Sequence, residues 1–233
     1  MDSVKGFDHG NWSKLLERVR KRDGLVDFEQ VRANHSLLQK YLGQLRLMSP
    51  VSAPHRFRNR NDRLAYYLNA YNALMLAVLV ENCPLSQPSG MYWSDGLYWR
   101  VSFLLGEIEV TLSELESQRI EELRYRDPRV RFALFRGTQS SPLLQTKAFE
   151  GATLDRDLNT IVERALESER FFKTEPNLVS LNPLFFWYKS EIGDFTTWLK
   201  KFGKTVPGDV IFVKLPPAGH VAEFGTTCSK RLQ

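Results

Sequence analysis

The chain is poor in the side chains that most often carry chemistry by themselves: 233 residues include 2 cysteines and 4 histidines. Cys83 and Cys228 lie far apart in sequence and could form one bridge at most, which excludes a disulfide-stapled scaffold. His9, His35, His55 and His220 are scattered, so no local metal-ligand cluster is formed and neither metal nor cofactor is expected. There is no G-x-x-x-x-G-K-S/T phosphate loop, no three-glycine dinucleotide fingerprint and no H-E-x-x-H. Nucleotide-hydrolysing and zincin readings therefore start from nothing.

Long apolar runs are also missing. The longest, LAYYLNAYNALMLAVLV over residues 64–80, is interrupted by Asn69 and Asn72. It falls short of the roughly 20 apolar residues of a membrane span, so a buried core helix is expected and no span. Charge of one sign is scarce as well, since 32 Lys+Arg against 27 Asp+Glu leave +5. Such an excess attracts polyanions weakly and nonspecifically. No nucleic-acid-reading motif sharpens it, and only Arg56, Arg58, Arg60 and Arg63 offer a local basic run. The start, MDSVKGFDHGNW, has no basic region leading into an apolar stretch, so a reducing, cytoplasmic setting is expected. A secreted chain already relieved of its leader would begin the same way.

What is present reads as ordinary globular composition, with 42% hydrophobic and 25% charged residues. Trp12, Leu15, Leu16 and Val19 recur at helical spacing before Gly24 breaks the pattern. Asp27 with Gln30 three positions on reads as a capping signal, opening a helix whose apolar face is Val31, Leu38, Tyr41, Leu42 and Leu45, closed by Pro50. Asn69 and Asn72 share one face of the apolar helix. Buried amides must be matched, and anchoring a loop is favoured over touching a substrate.

After Cys83 a loop rich in Ser, Pro and Gly leads to LYWRVSFLL and EIEVTL, read as two strands joined through Gly106. Thr111 and Glu114 repeat the capping signature before LSELESQRIEEL, with Leu112, Leu115, Ile120 and Leu123 as its buried side. In DPRVRFALFRGTQSSP, residues 130–135 read as a buried strand that ends in a turn at Gly137, a place where a fold displays function. Leu154, Leu158, Ile161 and Leu166 mark another amphipathic helix, and NLVSL a short extended piece. Ser180 or Asn182 caps the turn carrying LFFWY, read as core or interface. Asp194 opens FTTWLKKF and Gly203 stops it, and VIFVKL and VAEFG read as paired strands around PPAGH. With no repeat, linker or boundary, the expectation is one α+β, helix-rich domain over residues 1–233 with a small mixed or antiparallel sheet.

The chemistry on offer is thin. Ser140 and Ser141 occupy a turn of the right kind for a nucleophile, but G-T-Q-S-S-P is not the G-x-S-x-G elbow, and turn capping explains them better. Glu107, Glu109, Glu114 and Glu116 read as a solvated acidic face. Arg124, Arg126, Arg129, Arg131 and Arg136 suit carboxylates or phosphates. Strand alternation would split Arg129 and Arg131 from Arg136, and pairing with the preceding acidic helix is the plain alternative.

The order of these segments resembles a known family, the domain of unknown function 547. The likeness rests on FDHGNW with LL and GLVDF after it (7–28), RLAYYLNAYNALML (63–76), TLSELE, DPRVRFAL, LDRDL and LFFWYKSEIGDF. It covers about residues 7–203 and leaves 204–233 as a strand-containing extension. The resemblance implies a strand-end C-G-S-x-S-C-P motif, a histidine on that strand and another after the short helix's glutamate. That set suits thiol chemistry on a papain-like geometry. At the matching positions this chain has Arg136 and Ser141 in place of the cysteines, and Arg131 and Ser117 in place of the histidines. By the same resemblance Asn69, Asn72, Asp127, Pro128, Gly137, Pro142, Trp187 and Tyr188 are scaffold.

A permanently protonated guanidinium cannot replace imidazole as a base, and an alkoxide is far harder to form than a thiolate. The expected function is therefore a noncatalytic ligand-binding or protein-interaction domain on a degenerate enzyme-like scaffold, its partner a protein or a small anionic ligand. The expected site, binding or vestigial, comprises Arg131, Arg136, Gly137, Ser140, Ser141, Asn69, Asn72, His9 and Ser117. The competing reading is a serine- or cysteine-dependent hydrolase or transferase, in which His9 would have to reach Ser140 or Ser141. Phe185, Phe186 and Trp187 leave the oligomeric state open.

Overall fold

The computed structural model describes residues 6–21, 25–82, 96–137, 141–207 and 211–215. Everything in it is arranged around α4 (Arg60–Glu81), opened by Asn59, whose side chain accepts from the Asp62 amide at 2.9 Å. Every residue from Leu64 to Val80 is buried, so this helix has no polar face and other elements enclose it on all sides. By length and composition it could cross a membrane, yet 94% of its most apolar window is packed inside the protein.

On one side lie α1 (Gly10–Val19), α2 (Phe28–Ala33) and α3 (His35–Leu47). The expected apolar face of α1 is buried throughout, with Trp12 stacked on Tyr41 at 5.7 Å. Asp27 accepts from the Gln30 amide, as its spacing indicated, but the helix it opens ends at Asn34, where one helix had been expected to continue to Leu45. The side chain of Asn34 donates to Gln30 O at 2.9 Å and accepts from Arg18 at 2.6 Å. An asparagine bonding its own backbone competes with the helix ladder, and here it divides the run in two.

The next segment differs from its expected strand: Leu97–Arg100 forms a helical turn, α5, before β1 (Ser102–Leu105). β1 and β2 (Ile108–Thr111) pair antiparallel, Leu105 opposite Ile108, around Gly106 at φ +61°. A β-carbon at Gly106 would lie 2.5 Å from Ser52 Oγ, so glycine is required there on two counts. The Thr111–Glu114 capping box is complete. It opens a continuous helical run of α6 (Leu112–Glu114), a π-helical stretch (Leu115–Ile120) and α7 (Glu121–Arg124).

Residues 130–135, expected as a strand, instead lie mostly in a 3-10 helix, Pro128–Ala133, followed by extended backbone. Asp127 accepts from the Arg129 amide, and Pro128 at the first position lacks only a donor that a helix start leaves unpaired anyway. α8 (Leu154–Leu166) buries Leu154, Leu158, Ile161 and Leu166 as its periodicity requires.

The last part holds a small mixed sheet in the order β3–β4–β5. β3 (Phe172–Glu175) and β4 (Leu178–Leu181) are antiparallel, and β5 (Ile211–Lys214) is parallel to β4. β5 was expected to pair with VAEFG; its partner is β4, and VAEFG lies outside the described residues. Asn182, rather than Ser180, caps α9 (Pro183–Trp187). Within LFFWY, Phe185 is buried but Trp187 is 64% exposed. After α10 (Lys189–Ile192), Asp194 caps α11 (Phe195–Lys201), and Gly203 at φ +72° follows its end. Trp198 stacks on Phe132 at 5.6 Å, closing the aromatic core. The chain is a single, mostly helical α+β domain with a small mixed sheet.

Candidate functional site

The Pro128–Ala133 helix and the extended residues after it set the geometry of the expected site. Because the backbone coils before it extends, Arg131 and Arg136 are not sent to opposite faces as strand alternation required. Both reach Glu116 Oε1, Arg136 Nη2 at 2.6 Å and Arg131 Nη1 at 3.3 Å. Arg129 turns away to Asp127 and Asp155, each at 2.7 Å, and to Asn159. These acceptors hold its guanidinium well above its ordinary pKa, with the Asp127 hydrogen bonds the largest cause.

Glu116 was expected on a solvated face, but it is 6% exposed. Its burial follows from the residues that meet it: Tyr98 donates to Oε2 at 2.7 Å while the two arginines take Oε1. Burial first, and the Glu116 carboxylate second, push the Tyr98 hydroxyl far above its usual range. Arg131 also donates to Glu121 at 2.7 Å and Glu191 at 3.0 Å, and its guanidinium lies 4.2 Å over the Tyr188 ring. Arg124, whose side chain is 1% exposed, forks onto Glu121 and reaches Glu191 at 2.8 Å. The Arg124 hydrogen bond is the largest cause holding the Glu121 carboxyl below its ordinary value. Among the described residues three arginines thus meet three glutamates, and their charges balance. The pairing with the preceding acidic helix is real, and Glu191, about sixty residues further on, completes it.

Asn69 and Asn72 act on backbone. The Asn72 side chain donates to Ala133 O and accepts from Phe135 N, both at 2.9 Å; Asn69 does the same with O and N of Phe149, again at 2.9 Å. Each amide imitates a strand partner, and its buried polar atoms are satisfied. Both asparagines anchor loops. Gly137 takes φ +68°, and a β-carbon there would collide with Leu79.

Among the described residues, His9 is not brought together with the arginines. His9 is buried, and its Nδ1 is hydrogen-bonded to the Tyr41 hydroxyl at 2.7 Å among Phe7 and Tyr66. Burial lowers its pKa to about 4, against the opposing pull of Asp8. Tyr66, beside His9, and Leu79, beside Gly137, lie roughly 20 Å apart along α4 at about 1.5 Å of rise per residue. Ser141 is buried and its Oγ donates to Pro142 O at 3.3 Å, whereas Ser117 points to solvent. Ser140, both cysteines and His220 lie outside the described residues. Of the arginine run at the start of α4, Arg60 donates to Leu123 O and lies 4.2 Å over the Tyr125 ring. Among the described residues no group of three or more His, Cys, Asp or Glu is arranged to hold a metal.

Tyr98, Glu121 and Glu191 are the site residues that sequence reasoning missed. The available signal was arithmetic: arginines amid an apolar segment require buried carboxylates.

Residues 55–164 match the family model described as a protein of unknown function, DUF547. That span contains α4, the Glu116 helix, the Pro128–Ala133 helix and most of α8. No curated protein matches the chain. No solved structure matches it either, so a papain-like geometry rests on the sequence resemblance alone.

Proposed function

We propose that this chain is a noncatalytic ligand-binding or protein-interaction domain, a divergent form of the DUF547 scaffold without the thiols and imidazoles that the resemblance implies. One observation carries the reading: Arg131 and Arg136, at positions matching a family histidine and cysteine, are both committed to the buried Glu116. A guanidinium neither abstracts nor returns a proton near neutral pH, and a neutralised ion-pair network leaves no poised nucleophile.

The competing serine reading needs His9 as base. His9 is held by Tyr41, and a pKa of about 4 makes it a poor proton acceptor at neutral pH. In the proposed reading the Glu116 network is structural, and binding uses other surface of the domain.

Incubation with a broad serine-directed fluorophosphonate, read by intact mass, tests this. We expect no covalent adduct. An adduct that disappears in Ser141→Ala or Ser140→Ala would overturn the reading.

A further inference from the structure

A second cluster of cations lies apart from the Glu116 network and shares no residue with it. On α8, Arg156, Thr160 and Arg164 recur every four residues and line one wall of a cleft of about 240 Å³. The facing wall is the 145–149 loop, which contributes Thr146 and Lys147. That loop is not free to drift, because Asn69 holds Phe149 at both its N–H and its carbonyl and Ser13 Oγ accepts from the Ala148 amide at 3.0 Å.

The cleft contains one carboxylate, Asp157. It accepts from the Thr153 hydroxyl at 2.6 Å and from Arg156 at 3.4 Å. Among the described residues neither Lys147 nor Arg164 forms an ion pair; Glu150 lies beside the cleft, its carboxyl raised by burial first and by neighbouring acids, with Lys147 opposing. Three cations against Asp157 leave the lining at +2, or +1 with the neighbouring Glu150 counted; the Thr146 hydroxyl stands among them, and that of Thr160 donates to Arg156 O at 3.1 Å. Like charges held together repel, and an anion bridging them removes the repulsion while accepting from the three cationic side chains.

We propose that this cleft binds the phosphoryl group of a small soluble phosphate monoester. The dianion of such an ester carries about −1.5 to −2 charge at pH 7, opposite in sign to the excess of the lining. Size selects against a lipid. The adjoining apolar crevice, lined by Phe132, Leu144 and Ile161, offers only about 20 Å³, room for a water and not for an acyl chain. The proposal rests on the binding reading above for its premise that the domain holds a ligand, and it identifies where and of what class.

The test is titration of the full chain, by calorimetry at low salt, with inorganic phosphate, with phenyl phosphate and with vesicles containing phosphatidic acid. Inorganic phosphate and phenyl phosphate are expected to bind at one site. Lys147→Met and Arg164→Met, both at exposed positions, are expected to weaken binding about tenfold each with unchanged thermal melting, since each removes one charged hydrogen bond. Lys40→Gln/Arg46→Gln, on the exposed part of α3, is expected to leave it unchanged. Absence of phosphate binding, equal weakening by the α3 variant, or binding confined to the vesicles would overturn the proposal. None of these outcomes bears on fluorophosphonate labelling, so the two readings fail separately.

Discussion

Replacing Glu116 by Gln removes one negative charge from the network while keeping its shape. In the native protein Oε1 accepts from Arg136 at 2.6 Å and Arg131 at 3.3 Å, and Oε2 from Tyr98 at 2.7 Å. Gln can present its carbonyl to the arginines, but its NH₂ then faces the Tyr98 hydroxyl, which must rotate to accept. The balance of three arginines and three glutamates becomes three against two. Removing one partner of a buried pair ordinarily costs about 3–5 kcal/mol. Here Arg131 keeps Glu121 and Glu191, and Arg136 is 22% exposed. The expected loss is therefore about 2–3 kcal/mol, at and just below the lower bound of that range. Urea unfolding measures it, with an unchanged m-value marking an effect on the native state. Glu116→Gln/Arg136→Gln restores the charge balance and should recover more than about 1 kcal/mol relative to the sum of the single losses. A loss below about 0.5 kcal/mol for the single variant, or strict additivity in the pair, would refute the claim that electrostatic closure governs this site.

Other consequences follow from the same contacts. Asn69→Ala and Asn72→Ala should each lower stability by about 2–4 kcal/mol, because each strands a buried N–H and carbonyl. Hydrogen exchange should separate them, with the Phe149 amide accelerated by the first and the Phe135 amide by the second. Gly137→Ala should cost more than about 1 kcal/mol in thermal or urea unfolding, since φ +68° and Leu79 both oppose a β-carbon. His9 is held neutral by burial, so its folded pKa of about 4 lies below the ordinary 6.5. The unfolded chain takes up the proton first as pH falls. Stability from this group is thus complete above pH 6.5, declines toward pH 4, and the loss reaches about 3 kcal/mol at most. His9→Asn, which can keep the bond to Tyr41, should remove that part of the slope in unfolding curves at pH 4.5 and 7; an unchanged slope would count against it.

The helix faces were legible because burial there follows local periodicity, as for Trp12, Leu15, Leu16 and Val19 or Leu154, Leu158 and Ile161. The caps at Thr111, Asp27 and Asp194 were legible because they act within one turn. The Pro128–Ala133 helix was misread because Val130, Phe132, Ala133 and Leu134 are all buried, and a run enclosed on every side has no period to announce helix or strand. Asp127-Pro128 carried the missing clue, an acceptor followed by a residue with fixed φ. At the site, the roles of Asn69 and Asn72 could be inferred from the penalty on unmatched amides. The burial of Glu116 could not, because it depends on Arg131, Arg136 and Tyr98 meeting from three separate elements.

The paired asparagines of α4 also have a meaning for how this molecule could change. They rivet the chain at residues 133–135 and again at 149 to one rigid shaft, so the two ends of the intervening stretch are clamped by side chains that the stretch itself does not supply. A change of reactive residue within it leaves both clamps in place, while Gly137, Leu144 and Ala148 keep their own packing demands.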